Sequence, residues 1–144
     1  MAWNAKKTTE LLRELKQTAQ IEDYLNTNQA ELQFEGFAGA INRVFQAQGR
    51  SKSEVARAAG ISDIYLYQIF SGLRRPSRDK LICICLGMQT SEEDTKRLLR
   101  CCGYSQLYAR EPRDAIILHG ILRGKTVQDV NQLLLEQDLL PLID

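Results

Sequence analysis

Ser51, Lys52 and Ser53 stand together at an expected helix start, where hydroxyls, an ammonium and unpaired backbone N–H groups can hold a phosphate. Arg74, Arg75 and Arg78 follow in one basic stretch, three guanidinium groups suited to flanking phosphates. Between the two lie Asp63, Ile64, Tyr67 and Gln68. A carboxylate can accept from a cytosine amino group, and an aliphatic side chain can meet a thymine methyl. The chemistry on offer is a phosphate grip on either side of a short mixed helix face. Acid–base or nucleophilic catalysis has no such support. His119 is the sole histidine, with no paired acid, phosphate loop or nucleophile motif. We expect no enzymatic activity, no cofactor and no metal site.

Those side chains need two short helices joined by a tight turn. Ser51 and Glu54 form a Ser-x-x-Glu capping box at the start of the first. Gly60 supplies the left-handed conformation that stops it. Ser62 caps the second, Gly72 ends it, and Pro76 bars its continuation. The pattern predicts a helix-turn-helix with its recognition helix over 62–71. Helical spacing turns Leu66 and Ile69 to the core with Ile61 and leaves Asp63, Ile64, Tyr67 and Gln68 outward. Phe37, Ile41, Val44 and Phe45 mark the core face of a helix behind the motif.

This stretch resembles the XRE family, the Cro- and lambda-repressor-like helix-turn-helix regulators. The turn Ala59-Gly60-Ile61-Ser62, the helix core Leu66-Tyr67-Gln68-Ile69, and Gly72 match that family's pattern. So does the loop Arg74-Arg75-Pro76-Ser77, with Leu81, Ile84, Cys85 and Met88 behind it. The resemblance covers roughly residues 36–90. The chain departs from the pattern at Asp63, where a neutral or basic residue is usual, and at Phe70, where an acid is common. Membership implies a sequence-specific regulator of double-stranded DNA whose recognition helix enters the major groove, with Gln68 reading a base edge. Ser51, Lys52, Ser53, Ser62, Tyr65, Arg74, Arg75 and Arg78 are the expected backbone contacts. Such domains commonly pair as homodimers on two-fold sites. The Leu-rich end from Leu133 to Leu142 and the region of Leu11 and Leu15 are the candidate pairing surfaces.

The formal net charge of +1 conceals an uneven distribution. Residues 37–90 carry +5, and the flanks 1–36 and 91–144 carry −2 each. Positive charge is concentrated where the motif lies, as attraction to phosphate requires. No apolar run reaches the ~18 residues of a membrane span. The start, Met1-Ala2-Trp3-Asn4-Ala5-Lys6-Lys7, lacks a secretory apolar core. A cytoplasmic location without membrane contact is expected.

The fold class expected is all-α: a five-helix repressor-like helix-turn-helix domain extended by C-terminal helical-hairpin repeats. Residues 1–35 form a helical extension, with Thr8 or Thr9 capping a helix marked by Leu11, Leu12 and Leu15; a second piece carries Ile21, Tyr24 and Leu25. Residues 36–90 form the DNA-binding domain, and 91–144 pack on it. An internal repeat relates 78–108 to 113–143 at an offset of 35 residues, with Arg78-Asp79 on Arg113-Asp114 and Leu98-Leu99 on Leu133-Leu134. Leu98, Leu99, Ile116, Ile117, Leu133 and Leu134 are its expected buried residues. His119 aligns with Ile84 and is expected at the core or its boundary. Cys83, Cys85, Cys101 and Cys102 lack zinc-site spacing and read as reduced thiols, Cys85 at a core position. A second reading of the chain makes the helix-turn-helix a vestigial scaffold and the acidic helical repeats the site of a partner protein.

Overall fold

The computed structural model describes residues 6–28 and 36–143, in two compact units, Met1–Phe34 and Glu35–Asp144. All regular elements among the described residues are helices. None is long and apolar enough to cross a membrane. Residues 1–5, on which most of the leader expectation falls, and the expected boundary at residue 35 lie outside the described residues.

In the first unit, α1 (Thr8–Gln17) and α2 (Ile21–Thr27) bury none of their residues. A polar cluster joins them. Lys6 Nζ donates to Glu14 and to the Asn28 amide oxygen, both at 2.7 Å, and Asn28 Nδ2 donates to Glu14 at 2.8 Å. The Lys6 bond first, then the Asn28 bond, holds the Glu14 carboxyl below its usual pKa. The threonine caps are corrected here. The helix begins at Thr8 itself, so Thr8 and Thr9 fall inside the first turn, and Lys7 precedes it with no side-chain cap.

The second unit is built around α6 (Arg78–Met88). Every residue from Leu81 to Met88 is buried, as an all-round apolar helix requires. On one side lies α4 (Lys52–Ala59). The two backbones approach closely at Gly87, where a Cβ would stand 3.1 Å from the Val55 carbonyl oxygen. Helix α3 (Phe37–Gln46) packs against α5 (Asp63–Phe70) and α7 (Glu92–Cys101) through Ile41 and Val44, its buried face. Helices α8 (Pro112–Arg123) and α9 (Val127–Glu136) pack on each other and on α6.

Local bonds recur at the 35-residue offset. Ser91 Oγ accepts from the Asp94 N–H and Thr126 Oγ1 from the Asp129 N–H, capping α7 and α9. Gly103 and Asp138 both adopt positive φ, and Gln89 and Gly124 do likewise. Arg78 donates to the carbonyls of Ser105 and Gln106; Arg113 donates to those of Leu140 and Pro141. Each arginine also reaches across to the other stretch. Arg78 grips Asp114 with two bonds of 3.2 and 3.1 Å, and Arg113 grips Asp79 with two of 3.1 Å. An Arg-Asp dipeptide repeated in sequence has become a pair of exchanged ion pairs.

Burial in this region departs from expectation at three positions. Leu98, Leu99, Ile117 and Leu134 are fully buried, whereas Ile116 and Leu133 are half-buried. His119 is exposed, although its counterpart Ile84 is completely buried. The reason is packing. The α7 face is covered by α3, whereas Ile116, His119 and Leu133 border an open groove between α8 and α9.

Cys83 and Cys85 are fully buried, Cys102 is nearly so, Cys101 is half-buried, and all four are free thiols. Burial pushes the Cys83 thiol up to about 11 and the Cys85 thiol up to about 12, and raises Cys102 as well. Alkylation needs the thiolate and access to it, and these three lack both. We expect iodoacetamide at pH 8 to leave Cys83, Cys85 and Cys102 unmodified in the folded protein and to label all of them in denaturant. Peptide mass spectrometry reads the result; native labelling of Cys85 at the denatured rate would contradict this packing.

Candidate nucleic-acid interface

The site begins at two helix caps. Ser51 Oγ accepts from the Glu54 N–H at 3.2 Å, and the Glu54 carboxylate accepts from the Ser51 N–H at 3.3 Å, completing the capping box of α4. The backbone bond from Ser51, then its hydroxyl, keeps the Glu54 carboxyl below its usual pKa. A carboxylate stabilised in this way contributes to the cap above its unfolded pKa, and the contribution is lost as pH falls through the lowered folded value. Gly60 turns the chain at φ 74°, and Ser62 Oγ then accepts from the Tyr65 N–H to start α5.

From that cap the faces of α5 follow its sequence spacing. Leu66 and Ile69 are fully buried and Phe70 nearly so. Asp63 is exposed, Ile64 is 71% exposed and Tyr67 52%, while Gln68 is half-buried beside them. The far end of α5 is tied down by Asn42, whose Nδ2 donates to the Phe70 carbonyl at 2.8 Å. Asn42 escaped the sequence reading. Its signal is a polar amide adjoining Ile41 on the helix behind the motif.

The four groups at the α4 and α5 starts differ in freedom. Ser51 and Ser62 serve as caps, and Ser53 Oγ donates to Asp63 at 3.4 Å. Lys52 Nζ lies over the rings of Tyr67, Phe70 and Phe45, at 5.2, 5.5 and 5.8 Å. Three aromatic faces hold its ammonium by cation–π attraction at the junction of α3, α4 and α5. Phe70, the greasy departure from the family pattern, makes part of that cradle and meets Phe45 edge-on at 5.3 Å.

In the basic loop, Arg74 and its neighbours part ways. Arg74 is exposed, its guanidinium 5.7 Å from the Tyr65 ring centre. Arg75 instead donates Nη2 to the Cys102 carbonyl at the end of α7 and stacks on Tyr104 at 4.6 Å. Tyr104 in turn donates its hydroxyl to the Pro76 carbonyl at 2.6 Å. Arg78 is committed to Asp114, Ser105 and Gln106. The Arg78 guanidinium directs four hydrogen bonds to partners 27–36 residues downstream and fastens α6 to the tail. Arg75 is exposed like Arg74 but is tethered by the Cys102 carbonyl and the Tyr104 ring. Tyr104 and Asp114, which hold this loop, gave no signal in the motif because they lie outside it.

A family model described as helix-turn-helix matches residues 41–94, from the core of α3 to the first turn of α7. No curated protein and no solved structure matches the chain. The capped α4, the Gly60 turn and the two-faced α5 are the geometry which that family uses to bind DNA. Over residues 41–94 this protein carries a helix-turn-helix that resembles the XRE family.

Proposed function

We propose that this protein is a sequence-specific regulator that lays α5 in the major groove of double-stranded DNA. The observation that carries this reading is the division of α5. Leu66, Ile69 and Phe70 are buried, while Asp63, Ile64 and Tyr67 face solvent beside Gln68 within the most basic third of the chain. Asp63, Ile64, Tyr67 and Gln68 read base edges, Gln68 by a bidentate bond to adenine. Ser51, Lys52, Ser53, Ser62, Tyr65, Arg74, Arg75 and Arg78 hold the phosphates, and Arg75 and Arg78 also fix the loop. The regulator works in the cytoplasm as a homodimer, because one recognition helix covers only a few base pairs. Residues 36–90 contain the reading head, and 91–144 brace it as helical-hairpin repeats. The recurrent bonds at the 35-residue offset and the packing of α7 on α3 support that brace.

Fluorescence anisotropy against the DNA upstream of its own coding region, with scrambled competitor and a salt series, tests the reading. Gln68→Ala should cost about 1–3 kcal/mol on the specific duplex and little on random DNA. Equal loss on both would remove Gln68 from base reading. Arg74→Ala should weaken both duplexes and flatten the salt slope, whereas weak binding that vanishes near physiological salt on both would leave only the electrostatic attraction.

A second reading, a non-catalytic scaffold whose tail binds a partner protein, is favoured by one feature. The groove of about 620 Å³ beside Ile116, His119, Leu133 and Leu139 is apolar and open. Salt-sensitive DNA binding lost on Arg74→Ala would sink the idea of a vestigial helix-turn-helix.

A further inference from the structure

A cavity of about 440 Å³ opens between α4 and the start of α9. Arg50, Arg57 and Lys125 line it, with Glu54 as the acidic residue among its walls. Glu54 interacts with Arg50 and Arg57, and its single negative charge leaves the lining net positive. Arg50 donates Nη1 to the Gly87 carbonyl at 2.8 Å, which anchors its guanidinium at the rim and leaves its other N–H groups uncommitted. Among the described residues the Arg57 and Lys125 side chains have no hydrogen bond or salt bridge, and the Arg57 charge, after the Ser51 bonds, helps hold the Glu54 carboxyl below its usual pKa.

Lys125 is the telling residue. It is half-buried at the cavity wall, where its ammonium is open to an anion. Its counterpart at the 35-residue offset is Thr90, which is buried and shares a 2.6 Å hydrogen bond with Thr95. The second stretch has thus replaced an internally satisfied hydroxyl with a cation facing a cavity. Val127 and Gln128 add the first N–H groups of α9 to the same wall. The other wall is α4, the helix that enters the proposed DNA interface at Ser51.

We infer that this cavity binds a small free phosphorylated molecule, its phosphate held by Arg57, Lys125 and Arg50. A bound dianion would neutralise the excess positive charge and clamp α4 to α9. This site lies apart from the base-reading face of α5 and does not depend on DNA binding, so failure of the DNA reading would leave its test unchanged.

The test is a titration of the full chain with inorganic pyrophosphate at constant ionic strength, followed by amide chemical shifts. Saturable shifts are expected at Arg57, Ala58 and residues 125–128. Arg57→Ala/Lys125→Ala should weaken binding by roughly tenfold or more, as loss of two charge-assisted bonds implies. Lys125→Glu, a single change at a half-buried surface site, should abolish it, and an unchanged spectrum elsewhere would show that the fold is kept. Shifts that rise without saturating, spread over α5, or persist in the double variant would overturn the inference. A DNA-phosphate origin is separable. Duplex affinity lost in Lys125→Glu, with no saturable response to pyrophosphate, would assign the cations to the DNA backbone and likewise overturn it.

Discussion

Asp114→Ala should destabilise the protein by about 3–5 kcal/mol, a large share of the ~5–15 kcal/mol that holds a domain together. Asp114 is 8% exposed and accepts three hydrogen bonds, two from Arg78 and one from the Tyr108 N–H at 3.0 Å. Removing it leaves the Arg78 guanidinium inside with two carbonyls and no counter-charge. The cost is the uncompensated charge rather than the bridge itself. Arg78→Met/Asp114→Ala should therefore recover part of the loss, a non-additivity measurable by a double-mutant cycle in urea. The related pair Arg113–Asp79 sets the scale, because the Asp79 side chain is 40% exposed against 11% for Asp114. Asp79→Ala should cost distinctly less, nearer the ~1 kcal/mol of a solvent-screened pair. If both aspartates cost the same small amount, the exchanged ion pairs do not brace the tail.

Leu66→Ala should cost about 2–5 kcal/mol, since the side chain is fully buried beneath the recognition helix and its loss leaves a cavity. Ile64 lies two residues earlier, is 71% exposed, and its truncation should change stability by no more than about 0.5 kcal/mol. The two variants separate scaffold from contact. Leu66→Ala lowers the urea midpoint, and DNA affinity falls only to the extent that the folded population does. Ile64→Ala leaves the midpoint in place and weakens the specific duplex. The reverse assignment, a stable Leu66→Ala protein and an unfolded Ile64→Ala one, would mean that α5 is rotated from the orientation described.

The caps of α4 and α5, the Gly60 turn and the buried face of α5 were legible because their causes are local. A serine at a helix start needs only the N–H two or three residues on, and a glycine at positive φ needs no partner at all. The exposure of Asp63, Ile64 and Tyr67 follows from helical spacing once Leu66 and Ile69 are known to be inside. The same logic failed at α1, where two threonines offered equally good caps and neither is used. It failed again at His119. Alignment with Ile84 carried over a place in the repeat but not the helix that covers it.

The residue types from Ser51 to Arg78 by themselves determined a helix-turn-helix, its two faces and its basic surroundings, because propensity, capping and apolar spacing act within a turn or two of helix. The offset of 35 residues likewise marked where α8 and α9 begin. Only the tertiary structure decided what each arginine of the basic loop holds. Arg74, Arg75 and Arg78 have the same chemistry and differ in what lies 27–36 residues downstream, where Cys102, Ser105, Gln106 and Asp114 claim two of the three. It also set Lys125 beside Arg57, far apart in the chain and joined through a shared cavity. Local rules cannot specify such neighbours, since long-range contacts arise when α6 buries all its sides and draws α4, α7, α8 and α9 around it.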